Sequence, residues 1–202
     1  MPSVYQLKPA FQGLLRPLVV RLAAAGVTAN QVTVAAALLS IAVGIAVGWR
    51  SDTPRVLLLL PIALFVRMAL NAIDGMLARE HAQASKLGAI LNELGDVVSD
   101  TSLYLPLALR PEFPAWPTVL LVVTAIKVEL IGIVGVQIGA SRRYDGPFGK
   151  SDRAFAFGAL GLLLGLGVPT GSWLAWLLWV LCALAVVTIV NRGRAALREV
   201  QA

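Results

Sequence analysis

Two long stretches of the chain have no charged side chain, and they limit the folds open to it. No Asp, Glu, Lys or Arg lies between Arg21 and Arg50, and the 38 residues from Ala154 to Asn191 are also uncharged. A helix that spans a bilayer needs about 20 mostly apolar residues. With 58% hydrophobic residues, 14% charged residues and a mean hydropathy of +0.80, the chain is more apolar than an average soluble domain. We therefore expect an all-α polytopic membrane protein.

Six spans are predicted between about residues 29 and 195. The first four are expected at 29–49, 56–78, 87–109 and 116–140. The last charge-free stretch is too long for one span, and the turn Pro169-Thr170-Gly171-Ser172 divides it into a fifth and a sixth. Residues 1–24 mix basic and apolar side chains, which predicts an N-terminal amphipathic helix in the membrane interface. No second domain is indicated, so residues 1–202 are expected to form a single membrane domain.

The positive charge is distributed between the apolar segments rather than on one face. The net charge of +6 therefore indicates topology and phospholipid contact, not nucleic acid binding. Six spans place both termini on one side. With the termini in the cytoplasm, twelve Lys and Arg residues lie inside, and only Arg50, Arg55 and Arg110 lie outside. This predicts a multi-pass inner membrane protein, with Arg192-Gly193-Arg194 contacting anionic headgroups.

Residues 71–100 place polar side chains in helical stripes at the predicted cytoplasmic boundary. Asn71, Asp74, Gly75 and Ala78 share one face of the second span, and Asn92, Asp96 and Asp100 repeat every four residues on the third. If these stripes face each other, their oxygen atoms meet, and clustered acids repel unless a cation joins them. Oxygen ligands without His or Cys suit Mg²⁺, Mn²⁺ or Ca²⁺. The candidate metal ligands are Asn71, Asp74, Asn92 and Asp96, with Glu93 and Asp100 as auxiliary ligands.

Small residues and an arginine accompany these ligands. Gly75 and Ala78 leave room for a phosphorylated group to approach the backbone, and Arg79 offers a two-pronged donor to phosphate. A plain structural alternative is that the polar residues only join helices to one another.

The spacing resembles the motif of the CDP-alcohol phosphotransferase family, D-x-x-D-G-x-x-A-R, eight residues, then G-x-x-x-D-x-x-x-D. The corresponding positions hold Asn71, Asp74-Gly75, Ala78-Arg79, Gly88, Asn92 and Asp96. Val27–Thr33 is similar to the opening of the family's first span, and the interfacial helix and six-span layout are also similar. The resemblance thus covers almost the whole chain.

The resemblance implies a transferase of phospholipid biosynthesis with its active site at the cytoplasmic face. It would move a phosphatidyl or phosphoalcohol group from a CDP-linked donor, such as CDP-diacylglycerol, to an alcohol acceptor and release CMP. The motif positions would bind one or two Mg²⁺ or Mn²⁺ ions, and Asp96 would be the catalytic base. The resemblance also implies a homodimer and a nucleotide site formed by Asn30, Thr33, Gly75, Ala78, Arg79 and Gly88.

Asn71 and Asn92 stand where the family motif has its first and third aspartates. Each substitution removes one negative charge but keeps a carbonyl oxygen, which favours one bound ion over two. This departure leaves open a non-catalytic descendant that binds a CDP-lipid or acts as a scaffold. An intramembrane prenyltransferase is a further alternative, but it needs aspartate-rich clusters on two separate helices. An ion or proton transporter is another, without duplicated halves to support it.

Two further groups of charges are expected to have defined roles. The glycine-containing segment 139–153 holds Arg142, Arg143, Lys150 and Arg153, which are predicted to bind the phosphate of an acceptor or of anionic lipid. Four residues of the second, third and fourth spans lie at similar depth and are expected to form a buried ionic layer. They are Arg67, Asp100, Lys127 and Glu129.

Overall fold

The structure is a computed structural model that describes residues 4–50 and 52–201. Over these residues all regular elements are helical, which confirms the all-α class. The α-helices of the described chain are α1 Val4–Ala24, α2 Ala29–Trp49, α3 Leu59–Glu80, α4 Lys86–Tyr104, α5 Ala115–Gln137, α6 Lys150–Gly165 and α7 Ser172–Gln201. Short 3-10 helices precede α3 at Pro54–Leu58 and follow α4 at Leu105–Leu109. Residues 1–3 of the predicted interfacial helix lie outside the described residues, as does the side chain of Lys8.

Four helical stretches are long and apolar enough to cross a membrane. They are Ala29–Trp49, Pro54–Glu80, Ala115–Gln137 and Ser172–Gln201. The third and fifth predicted spans also form helices, but α4 contains three acidic residues and α6 has only 16 residues. The six-span count therefore stays a prediction, and so does the interfacial position of α1. Large apolar side chains such as Trp49 and Trp116 are 83% exposed, which suits contact with lipid.

The start of α2 is fixed by side chains that satisfy the free N–H groups of its first turn. The Thr28 N–H donates to Gln31 Oε1 at 2.9 Å, and the Gln31 N–H donates to Thr28 Oγ1 at 3.2 Å, which forms a capping box. Gln83, in the loop after α3, accepts a hydrogen bond from the Ala29 N–H at 2.7 Å. Its Nε2 donates to the Val27 carbonyl at 3.3 Å. The loop before α4 is therefore joined to the start of α2.

The chain divides into two compact units, and each is discontinuous in sequence. The first contains the described residues up to Ala42 together with Ala63–Ser99. The second contains Val43–Ile62 and the described residues from Asp100 onwards. The assignment of a single domain to the whole chain stays a prediction.

An apolar core joins α1, α2 and α3 within the first unit. Val19, Val32 and Met76 are buried together, and Leu15 and Leu70 pack against them half-buried. This core includes α2 and α3, which carry Thr33 and Asp74, so it fixes the backbone from which these two side chains project.

Two glycines lie where helical segments of the second unit approach each other closely. A Cβ atom on Gly44 would overlap the carbonyl oxygen of Ser102, and one on Gly48 would lie 3.2 Å from Pro106 Cβ. The two glycines are four residues apart on one face of α2, so they form a GxxxG pair. This arrangement lets helices pack backbone to backbone in membranes.

Arg110, which was counted with the outer charges, is buried within the second unit. Its Nη1 donates to the carbonyl oxygens of Val47 at 3.1 Å and Arg50 at 2.9 Å. Its Nη2 donates to the Thr53 carbonyl at 3.2 Å and to Glu112 at 2.8 Å. The guanidinium thus satisfies carbonyl groups at and beyond the end of α2 that have no partner within the helix.

Candidate active site

The polar stripes of α3 and α4 lie on two antiparallel helices of the first unit. Arg67 of α3 contacts Asp96 of α4, with 3.4 Å between Nη2 and Oδ1. Both helices rise by about 1.5 Å per residue. Four residues nearer the connecting loop, Asn71 on α3 is therefore level with Asn92 on α4. The two asparagines thus lie at one level of the helix pair, one turn from the Arg67–Asp96 contact.

Asp74 is the more deeply buried of the two motif carboxylates, at 4% exposure. The Thr33 hydroxyl lies 2.8 Å from Asp74 Oδ2 and 3.1 Å from the Ala29 carbonyl oxygen. A hydroxyl can donate only one hydrogen bond. The carboxylate oxygen is the nearer acceptor and is charged, so it is the stronger one. Thr33 therefore orients Asp74, which links the segment that opens α2 to the motif on α3.

Asp96 is held in place by Arg67 of α3. The Arg67 side chain is 3% exposed, and its Nη2 donates to the Asp96 main-chain oxygen at 3.2 Å as well as to the carboxylate. Asp96 itself is 20% exposed. It is therefore both anchored and open to an approaching group.

The predicted ligand set is rich in oxygen but has only two motif carboxylates. Asp74 and Asp96 supply them, Asn71 and Asn92 supply carboxamide oxygens, and Glu93 is half-buried beside Asn92. Within the described part of the chain, no three Asp, Glu, His or Cys side chains are grouped as a metal site. Two carboxylates with neutral oxygen donors suit one hard divalent cation such as Mg²⁺ or Mn²⁺. The side-chain types present therefore suit one such ion.

The predicted nucleotide-binding residues also lie in the first unit, where two pairs of them are in contact. A Cβ atom on Gly75 would lie 3.1 Å from Arg79 Nη1, so the guanidinium lies over this glycine. A Cβ atom on Gly88 would lie 2.8 Å from Asn30 Oδ1, so the Asn30 side chain lies against that glycine. Ala78 is half-buried against the apolar core. Arg79 is exposed.

The second unit contains a buried ionic cluster built around Arg153. Its Nε and Nη2 donate to Asp100 Oδ2 at 3.1 and 2.8 Å, and Nη2 also donates to Glu129 Oε1 at 2.8 Å. Arg192 and Arg142 each approach Glu129 Oε2 at 3.4 Å. Three guanidinium groups thus face two carboxylates. Arg153 Nη1 is buried with no acceptor among the described residues.

This cluster corrects two expectations. Lys127 was expected in a buried ionic layer, but it is exposed. Arg192 was expected to contact headgroups, but it is 2% exposed and donates to the Val128 carbonyl at 2.6 Å. Arg153 and Arg192, rather than a lysine, thus neutralise Asp100 and Glu129.

The segment between α5 and α6 is shaped by its own charges. Arg143 Nε and Nη2 donate to the two oxygens of Asp145 at 2.9 and 3.1 Å, and its Nη1 donates to Glu199. The hydrogen bond from Arg143 holds the pKa of Asp145 below its usual range, and it raises the pKa of Arg143. Arg142 Cζ lies 4.7 Å from the centroid of the Tyr144 ring. The fourth predicted phosphate ligand, Lys150, is the first residue of α6.

The sequence analysis missed two contacts, and the sequence contained a signal for only one of them, Arg67 with Asp96. Arg67 lies four residues before Asn71, so it continues the α3 stripe. Gln83 gave no comparable signal, because its partners at the start of α2 lie 54 and 56 residues away.

Comparison with known proteins identifies the family of the chain. The family model for CDP-alcohol phosphatidyltransferase matches residues 26–188. Inner membrane protein YnbA of Escherichia coli (strain K12) is 46% identical over 195 residues, which cover 96% of each chain.

Solved structures of Mycobacterium tuberculosis phosphatidylinositol phosphate synthase are similar in fold, at 22% identity. The form with CDP-DAG bound has a TM-score of 0.73 and covers 91% of this chain and 92% of its own. The form with manganese and citrate has a TM-score of 0.74, with 92% and 88% covered. The family model matches far more than half of the chain. The chain therefore belongs to the CDP-alcohol phosphatidyltransferase family.

Proposed function

We propose that the protein transfers a phosphatidyl or phosphoalcohol group from a CDP-linked donor, such as CDP-diacylglycerol, to an alcohol acceptor. The observation that supports this most directly is the α3–α4 pair, where Asp74 and Asp96 are each held by a partner side chain in the first unit. Family membership supports the reaction class, phospholipid synthesis. The M. tuberculosis structure with CDP-DAG bound supports the donor class.

Asp74, Asp96, Asn71 and Asn92 would hold one Mg²⁺ or Mn²⁺ ion, with Glu93 as an auxiliary ligand. The M. tuberculosis structure with manganese supports this choice of ion. The bound ion would neutralise charge on the diphosphate of the donor. Asp100 is left out of this set, because Arg153 donates twice to its Oδ2.

The chain's own residues would orient the donor and accept the proton. Arg79 would donate to the diphosphate, and Gly75, Ala78 and Gly88 would let the nucleotide lie against the helix backbones, beside Asn30 and Thr33. Asp96 would take the proton of the acceptor hydroxyl while the oxygen of that hydroxyl forms a bond to phosphorus. The bond from that phosphorus to the CMP oxygen would break, which releases CMP.

The acceptor would bind to basic residues of the second unit. Arg142, Arg143, Lys150 and Arg153 would bind an anionic group of the acceptor or of neighbouring lipid. The buried, unsatisfied Nη1 of Arg153 supports an anion at this place, because a buried donor without an acceptor is costly. Arg142 and Arg143 are already engaged in ion pairs, so they would orient the segment as well as bind the ligand.

The proposed location is the bacterial inner membrane, with both termini and the α3–α4 site at the cytoplasmic face. The name of the E. coli relative supports the membrane, and the distribution of basic residues supports the orientation. A homodimer is proposed from family membership alone.

A second candidate function is supported by Asn71, Asn92 and Arg67. The two asparagines are neutral where the family motif has carboxylates, and Arg67 is a cation beside Asp96, as expected for a descendant that binds CDP-lipid without turning it over.

The two functions are separated by an assay for CMP release. Purified protein in lipid would receive CDP-diacylglycerol, Mg²⁺ or Mn²⁺ and a panel of alcohols. We expect CMP release with at least one acceptor, its loss in Asp96→Asn and Asp74→Asn, and wild-type release in the exposed control Asp52→Asn. CDP-lipid binding without CMP release for every acceptor would establish the non-catalytic function instead.

A further inference from the structure

Arg67 is a buried positive charge beside the proposed metal ligand Asp96. It lies four residues before Asn71 and seven before Asp74, so the three residues share one face of α3. From this face Arg67 contacts Asp96 of α4. Its side chain is 3% exposed. A buried guanidinium keeps its charge under all physiological conditions. The donor site therefore contains a permanent cation in addition to any ion it binds.

The contacts of Arg67 fix where this charge acts. Nη2 donates to Asp96 Oδ1 at 3.4 Å and to the Asp96 main-chain oxygen at 3.2 Å. Both acceptors belong to the residue that closes the motif. One carboxylate oxygen of Asp96 is thus already opposed by positive charge.

The two asparagines of the motif act in the same direction as Arg67. Asn71 and Asn92, at one level of the helix pair, each supply a neutral oxygen where the family motif has a carboxylate. A second divalent ion would have to share Asp96 with Arg67 while gaining no charged ligand from either asparagine. The positive charge of Arg67 would repel a second cation bound at Asp96.

We propose that Arg67 takes the place of a second divalent cation. It supplies a fixed positive charge on the Asp96 side and limits the donor site to one metal ion. This inference rests on the proposed function, because it requires that the site binds a divalent ion.

The test measures Mn²⁺ binding rather than turnover. Wild-type protein in phosphatidylcholine nanodiscs would be titrated with Mn²⁺, with free Mn²⁺ measured by electron paramagnetic resonance. We expect one ion per wild-type chain. Removal of the charge in Arg67→Met or Arg67→Gln should tighten binding on the order of tenfold or add a second ion. Arg67→Lys, which keeps the charge, should bind as wild type does.

Two controls keep the result interpretable. Lys127→Met removes one positive charge from an exposed position in α5, and it should leave Mn²⁺ binding unchanged. Arg67→Gln retains an N–H donor for the Asp96 main-chain oxygen, so it tests the charge even if Arg67→Met unfolds. Binding by Arg67→Gln that is no tighter than wild type, with no added ion, would overturn the inference.

The outcomes separate this inference from the proposed function. If Mn²⁺ binding depends on Asp74 but not on the charge at position 67, only the inference fails. If the neutral variants gain affinity while no acceptor yields CMP, the inference stands and the transferase reaction fails. If neither wild type nor Arg67→Gln binds Mn²⁺, both the metal site and the inference fail.

Discussion

Replacement of Arg153 by methionine tests whether the buried ionic cluster holds the second unit together. The substitution keeps an unbranched apolar stem but removes the guanidinium. It eliminates two hydrogen bonds to Asp100, at 3.1 and 2.8 Å, and one to Glu129 at 2.8 Å. Both carboxylates are about 10% exposed, so neither can be rehydrated without opening the unit.

The expected loss follows from the burial of these groups. Breaking a buried ion pair by removing one partner costs about 3–5 kcal/mol of unfolding free energy, because a buried charge is left uncompensated. At roughly 2–4 °C per kcal/mol for a chain of this size, the melting temperature should fall by about 6–20 °C. Arg153→Lys keeps the charge but has fewer and less directed donors. Its melting temperature should therefore lie between those of wild type and Arg153→Met.

The assay is thermal unfolding followed by tryptophan fluorescence in a single detergent. The five tryptophans of the chain all belong to the second unit, so the signal reports the part of the molecule that contains the cluster. Lys127→Met serves as the control, because it also replaces a basic residue by methionine but at an exposed position. A melting temperature for Arg153→Met equal to that of Lys127→Met would refute a structural role for the cluster. Arg153 would then be left with only the acceptor role.

Three further predictions address the metal site, a strained loop residue and the charge on the α5–α6 segment. Restoring both carboxylates in Asn71→Asp with Asn92→Asp should tighten Mn²⁺ binding roughly tenfold or more; unchanged affinity in calorimetry would contradict the charge argument. Ala82 has a φ of 54°, a left-handed conformation that costs a non-glycine residue about 1 kcal/mol, so Ala82→Gly should raise the melting temperature by a few degrees. The pKa of Asp145 is lowered by Arg143, so its contribution to stability should be full above the ordinary aspartate pKa of about 3.9 and be lost as pH falls through the lowered value. Unfolding measured between about pH 6 and 3 should show this loss in wild type but not in Asp145→Asn, and an equal loss in both would argue against it.

Helix positions are largely predictable from this sequence because hydrophobic length and end signals are local. The predicted first span, 29–49, has the same bounds as α2, which begins at the Thr28–Gln31 capping box. The Pro169–Ser172 turn separates α6 from α7 as expected. The 3.6-residue period also places the motif residues of α3 and α4 on the faces where Arg67 and Asp96 meet.

The partners of buried charges are not predictable in the same way. Lys127 is only two residues from Glu129, but residues at i and i+2 point to different sides of a helix. Lys127 is therefore exposed while Glu129 is buried. Glu129 pairs with Arg142, Arg153 and Arg192, which are 13, 24 and 63 residues further along the chain. Only the packing of α5 against α7 and of the segments between them decides such pairings.

The contact between Gln83 and the start of α2 has a consequence for the order of events during synthesis. The Ala29 N–H receives its acceptor from a residue 54 positions later, and Asp74 is 41 positions after Thr33, which orients it. When α2 first leaves the ribosome, neither partner has been made. The residues of the proposed site therefore cannot reach their final arrangement until α3 and the loop after it have emerged. During this interval α2 is an apolar helix without these two partners, and the contacts with Gln83 and Asp74 form only after α3 has been made.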